Sequence, residues 1–221
     1  MRKKSKWMIV VMALIMAFSL TACGDSEEPA ESADCWADQY AALIESGEAR
    51  EFADYDSMKA TLDDIRDESG ATYVYAMSPM KDGKPSLDGD ATAEGSFAIT
   101  VDGSEDPDDW GVDYGWEIQF TEAWEGTPAA ARSAWNDSDT EQCWSAFAPV
   151  YDEEGNVICL LGIDFPCTDV IVDNPQWNRD GDSWNGFEDE ITGEVPETIQ
   201  AMMDDVTALA DKYAKQLSHS K

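Results

Sequence analysis

One carboxylate stands apart in this sequence. Asp164 lies near the end of the apolar run VICLLGIDF, residues 157–165, which follows a second apolar run, WSAFAPVY, across the polar turn DEEGN. Side chains alternate along a strand, so Val157, Cys159, Leu161, Ile163 and Phe165 take one face and Ile158, Leu160, Gly162 and Asp164 the other. Both faces are largely apolar, which requires that both be covered. A covered carboxylate is costly unless something pairs with it, and the chemistry it offers is the binding of a positive group. The plain alternative is a turn cap before Pro166, or a carboxylate with a local basic partner.

Covalent catalysis finds little support. The only histidine is His219, near the end of the sequence, which argues against Ser-His-Asp and Cys-His centres and against histidine-ligated zinc. There is no nucleophile elbow, P-loop or dinucleotide fingerprint. Carboxylate pairs of the glycosidase kind arise in any acidic chain, so they carry no weight. The protein is read as a non-enzyme with no cofactor. In NRDGDSWNGFEDE, residues 178–190, oxygen side chains alternate at Asn178, Asp180 and Asp182 as in a calcium loop. The sixth position is Ser183 instead of glycine and the twelfth is Asp189 instead of glutamate, which favours an acidic surface loop over a metal site.

Fourteen basic residues against 47 acidic ones give a formal net charge of −33. Nucleic acid and anionic headgroups are therefore poor partners, while cationic ligands are compatible with a surface that is otherwise simply well solvated. Arg2, Lys3, Lys4 and Lys6 precede an uncharged apolar run from Trp7 to Leu20, which is the pattern of an export signal. The boundary LTAC, Leu20 to Cys23, resembles the lipobox of bacterial lipoproteins. That resemblance implies a signal peptide over 1–22, lipidation of Cys23 and an extracytoplasmic location on the cell membrane, where several acyl chains anchor durably. Residues 23–34 are polar and acidic and read as a tether.

Four further cysteines, Cys35, Cys143, Cys159 and Cys167, are an even number in an exported chain. Cys143 and Cys167 flank the hairpin, so that pair is favoured, leaving Cys35 with Cys159; free buried thiols are the alternative.

The elements that would position Asp164 follow from periodicity. Residues 35–70 are helical in pattern with a break near Gly47 and a C-terminal cap at Gly70. Thr72–Met77 and Ser96–Asp102 read as strands, with turn residues between them. Residues 103–142 read as a long loop held by Trp110, Trp116, Trp124 and Trp135, with room for a short helix over 117–126. Asp152–Asn156 turn the hairpin, and residues 196–217 form an amphipathic helix.

With that order in place, ESGATYVYAM, WSAFAPVYDEEGNV and ICLLGIDF resemble the Cache family of PAS-like extracytoplasmic sensory domains over about residues 51–166. The resemblance implies an α+β fold: a curved antiparallel sheet with an N-terminal helix packed on one face and a C-terminal helix. It places the ligand-binding domain in 35–167, followed by an acidic segment and helix in 168–221. It also implies a small-molecule pocket on the other face, under the long loop, in which Asp164 meets a ligand's ammonium group. If Val150 pairs with Val157, Cys143, Ser145 and Phe147 share the face of Asp164 while Trp144 points away; a slip by one residue exchanges them. Tyr75, Trp110, Asp113 and Trp116 complete the candidate ligand site, since aromatic faces beside carboxylates suit cations. Each tryptophan serves equally well as ordinary packing. The arginine that amino-acid-binding relatives use for the ligand carboxylate has no clear counterpart, Arg132 being the loop's one basic residue. The expectation is thus a sensory lipoprotein for a small, cationic ligand, acting through a separate membrane-bound signalling partner. A solute receptor for a transporter, and a structural or adhesion lipoprotein without a ligand, are the alternatives.

Overall fold

The computed structural model describes residues 35–219 apart from 48 and 188, with the backbone alone at 50. The expected signal peptide, Cys23 and the tether lie outside the described residues. Helix α1 (Trp36–Ser46) buries Trp36, Tyr40, Leu43 and Ile44, the spacing of one helical face, and stops where Gly47 adopts φ 67°. Helix α2 (Tyr55–Ser69) buries Met58, Leu62 and Ile65 and ends at Gly70, φ 75°, whose N–H donates to the Arg66 carbonyl at 2.9 Å.

Seven strands follow: β1 (Tyr73–Lys81), β2 (Lys84–Pro85), β3 (Phe97–Asp102), β4 (Val112–Gly115), β5 (Ala129–Asn136), β6 (Gln142–Tyr151) and β7 (Val157–Pro166). They form one antiparallel sheet in the order β4-β3-β1-β7-β6-β5, with β2 beside β1, and breaks in register at four of the pairings bend it. The described residues hold three further α-helices: α3 (Ile118–Trp124), α4 (Thr168–Asp173) and α5 (Glu197–Leu217). The α+β architecture with a curved antiparallel sheet is the one expected. Among the described residues, no helix is long and apolar enough to cross a membrane.

Each face of the sheet has its own apolar cluster. On one, α1, α2 and α5 cover Val74, Ala76, Val101, Trp144, Ala146, Leu161 and Ile163. On the other, α3 lays Phe120 over Tyr75, Met77, Phe97, Phe147 and Leu160. The C-terminal helix shares the first core through Ile199, Val206, Ala210, Tyr213 and Leu217. His219 does not fray: its N–H donates to the Tyr151 carbonyl at 3.1 Å, and its ring lies 2.7 Å from the Asp38 carboxylate.

Two expectations need correction. The supposed long loop contains β4 and β5 as well as the short helix; AAARSAWN is rich in alanine and lacks the β-branched residues that mark a strand. Neither expected disulfide forms, because Cys143, Cys159 and Cys167 are free, buried thiols. The register explains this: Cys143 faces Pro166 and turns its thiol to Thr72 Oγ1 at 3.4 Å, whereas Cys167 joins the helix-side core. Cys159 lies mid-strand in that core, near Tyr40. The Cys35 sulfur sits 3.7 Å from the Leu217 carbonyl oxygen at the end of α5.

One buried hydroxyl ties α1 to the sheet. Tyr40 reaches Ser78 Oγ at 2.6 Å and Thr100 Oγ1 at 2.7 Å, joining α1 to β1 and β3. Tyr40→Phe is expected to cost about 1–3 kcal/mol, because two buried hydroxyls lose a partner that water cannot replace; urea unfolding of the variant beside the wild type measures it.

Candidate functional site

Asp164 is 3 % exposed and sits at the centre of three paired strands. Tyr73 of β1 lies directly across from it on one side and Ser145 of β6 on the other. The β6–β7 register is two residues from the expected pairing, since Val150 faces Cys159. An even offset preserves the faces, so Cys143, Ser145 and Phe147 do share the side of Asp164 while Trp144 enters the helix-side core.

Its immediate partners are hydroxyls. Tyr75 donates to Asp164 Oδ1 at 3.3 Å, and the Ser145 hydroxyl also hydrogen-bonds to the carboxylate. Trp135 Nε1 donates to Ser145 Oγ at 3.0 Å, and the Tyr75 and Tyr114 hydroxyls lie 3.4 Å apart. The Trp135 ring stacks on Tyr73 at 6.2 Å, and Tyr73 donates to Asp137 at 2.6 Å. Gly162 makes room for this arrangement: a Cβ there would stand 2.4 Å from Tyr75 Cε2, so the tyrosine ring lies across β7 only because the strand has no side chain at that point.

The rim is charged. Arg179 Nη1 donates to Glu117 Oε1 at 2.9 Å, and the Gln119 amide nitrogen donates to the other oxygen of Glu117. Gln119 is itself buried, and among the described residues its Oε1 has no hydrogen-bond partner. Arg179 reaches this position because Asn178 bridges to Ala134 in parallel and the Arg179 N–H donates to the Ala134 carbonyl at 2.9 Å. The calcium-like stretch thus begins as a strap on the sheet: Asn178 Nδ2 donates to Asn136 Oδ1, and Asp180 accepts the Asn136 N–H. Among the described residues no group of acidic, cysteine or histidine side chains is arranged to hold a metal.

Burial dominates the electrostatics. It pushes Asp164 up to about 7, against the opposing hydrogen bonds from Ser145 and Tyr75; Glu117 adds to the rise and Arg179 lessens it. Burial also drives Tyr75 and Tyr114 well above the ordinary tyrosine range, with the Asp164 charge the next contributor in each case. No lysine or arginine among the described residues forms an ion pair with Asp164.

The structure therefore gathers Tyr75, Ser145, Phe147 and Asp164 and keeps two candidates away. Trp110 packs with the helix-side cluster, because it precedes β4 at the opposite edge of the sheet. Asp113 is exposed on β4, where it accepts bonds from Ser96 and from the Gly115 N–H that hold it below the usual carboxylate range. Trp116 is intermediate: it packs on the Asp164 side, and its indole nitrogen donates to Thr121 at 3.0 Å. Arg132 binds both oxygens of Glu122, at 2.6 and 2.8 Å. Tyr73, Tyr114, Trp135 and Arg179 were missed. Tyr73 was accessible in principle, two residues from Tyr75 on the same alternation; Trp135 and Tyr114 sit on strands that the sequence hides.

No protein-family model matches the chain, and no curated protein sequence matches it. Several solved structures are distantly similar, two of them as follows. One is a mutated NreA protein, altered in its nitrate binding site, from Staphylococcus aureus, at 14% identity over 54% of this chain and 94% of that one, with a TM-score of 0.33. The other is a putative GAF sensor protein from Burkholderia vietnamiensis, at 12% identity over 87% of this chain and 96% of that one, with a TM-score of 0.30.

A raised carboxylate pKa has a definite sign. Asp164 is ordinary in the unfolded chain and near 7 in the folded one, so the folded state binds the extra proton between those values. Stability is therefore expected to fall as pH rises from about 4 to about 7, by about 4 kcal/mol from this group, and to change no further above that. Asp164→Asn removes this component of the slope, so the difference between variant and wild-type unfolding free energies, measured from pH 4 to 8, should move in the variant's favour as pH rises.

Proposed function

We propose that the protein is a sensory, small-molecule-binding domain that takes up a small cationic ligand without transforming it. One observation carries this reading: Asp164 is a buried carboxylate with tyrosine and serine hydroxyls for partners and no ion pair. A fixed acidic group ringed by Tyr73, Tyr75, Tyr114 and Phe147 has the composition that attracts an ammonium group, through charge and ring faces together. Such a ligand supplies the charge that the fold leaves out. A cation beside Asp164 favours its ionised form, so binding releases a proton and strengthens as pH rises toward and through 7.

The export signal and the lipobox-like boundary support placing the domain on the extracytoplasmic face of a bacterial membrane, held by lipidated Cys23, where it acts through a separate membrane partner. Detergent partitioning of wild type and Cys23→Ser tests the anchor: the wild type should enter the detergent phase and the variant should stay in the aqueous phase.

Thermal unfolding against primary, secondary and quaternary amines, amino acids and organic acids tests the site. A ligand at a hundredfold excess over its Kd is expected to add about 2.7 kcal/mol of stability. The gain should be confined to cations and lost in Asp164→Asn. Stabilisation by organic acids alone, or undiminished stabilisation of the variant, overturns the reading.

A further inference from the structure

Among the described residues, two buried side-chain oxygens accept no hydrogen bond, Asp63 Oδ1 and Gln119 Oε1. Asp63 Oδ1 has the Arg66 guanidinium 3.1 Å away, so its charge is answered. Gln119 Oε1 remains, on a residue that is 1 % exposed. A buried amide oxygen costs stability until a donor reaches it, and water has little access to this one.

The orientation of the Gln119 amide is set by its neighbour. An ionised carboxylate only accepts, so Glu117, which receives the bond from Gln119 Nε2, holds the NH₂ group toward itself and turns the oxygen away. Reversing the amide would set oxygen against oxygen. Glu117 is held in turn by Arg179 at 2.9 Å, so the series Arg179, Glu117, Gln119 ends in one fixed, unused acceptor.

That acceptor belongs to the Asp164 side of the sheet. Gln119 is the second residue of α3 and directly precedes Phe120, whose ring meets Phe147 at 4.6 Å; Phe147 meets Tyr75 at 6.4 Å. Helix α3 packs on β6 and β7, the strands that carry Ser145 and Asp164. The charge of Glu117 reaches Asp164, Tyr75 and Tyr114 alike. Asp164 has no ion pair and Gln119 Oε1 has no donor, and an N–H-bearing cation supplies both.

Resting on the reading of Asp164 as a cation site, we propose that Gln119 is a specificity-determining residue of that site: its Oε1 accepts a hydrogen bond from the ligand, which is therefore a primary or secondary amine and not a quaternary ammonium. Charge and ring faces attract both classes. A directional acceptor separates them, because a quaternary group sets methyls against the oxygen and leaves it unsatisfied.

Isothermal titration calorimetry of the full chain tests this with propylamine, 1,3-diaminopropane and 1,5-diaminopentane beside their fully N-methylated quaternary counterparts, which keep the charge and carry no N–H. The wild type is expected to prefer amine over counterpart by about tenfold or more. Gln119→Met keeps the side chain's length and removes the acceptor, and should lower that preference about fivefold or more by weakening the amine and sparing the quaternary cation. A merely structural loss weakens both alike. Binding that is lost in Asp164→Asn, yet shows no amine preference in the wild type or an unchanged preference in Gln119→Met, overturns the role of Gln119 and leaves the cation site standing. No binding of any of these cations at millimolar concentration, or undiminished binding in Asp164→Asn, overturns the cation site and this inference with it.

Discussion

The contact between Tyr75 and Gly162 is the constraint from which the Asp164 side of the sheet follows. The two residues face each other across β1 and β7, and the aromatic ring lies where any side chain on β7 would stand. Once the ring occupies that place, its hydroxyl falls within reach of Asp164, two residues further along β7, and of Tyr114 from β4. Phe147 meets the edge of the same ring from the other side, and Phe120 closes over Phe147 at 4.6 Å. The carboxylate is thus enclosed by aromatic packing that one missing side chain allows.

Scarcity of positive charge shapes the rest. Fourteen basic residues serve 47 acidic ones, so most carboxylates must be left to water or to hydrogen-bond donors. Arg66 pairs with Asp63 and Asp67 inside its own helix, whereas Arg132 joins β5 to α3 and Arg179 joins the strap to the start of α3. Arg132 and Arg179 fix the position of α3 against β5 and the strap. Asp164 receives none of these cations, although Arg179 is near enough to moderate its ionisation.

Much of this was legible in the sequence where periodicity was strong. The alternation in β7 and the stripes of α1, α2 and α5 place the two cores, and the even spacing of Ser145 and Phe147 puts them beside Asp164 whichever even register is adopted. Legibility failed where local composition and tertiary role diverge. Strand β5 is built from alanines because it faces close neighbours, so it carries no strand signal of its own. Asn178 and Asp180 resemble metal ligands by spacing, yet their side chains hydrogen-bond to β5. The thiols were paired by sequence position alone, whereas the pleat sends Cys143 and Cys167 into different surroundings.

The two ends of the described chain meet. Cys35 touches the last turn of α5, and Asp38 on α1 holds the His219 ring. A pull applied at residue 35 is therefore taken up first as shear between α1 and α5, both on the helix-covered side of the sheet, and reaches β1 and β7 only through Tyr40 and the packing beneath it. Mechanically, the face that holds Asp164 lies across the sheet from residue 35. Load entering at residue 35 strains the helix layer before it deforms the Asp164 face, and a change in the shape of that face is free to travel the other way, through the sheet into α1 and α5.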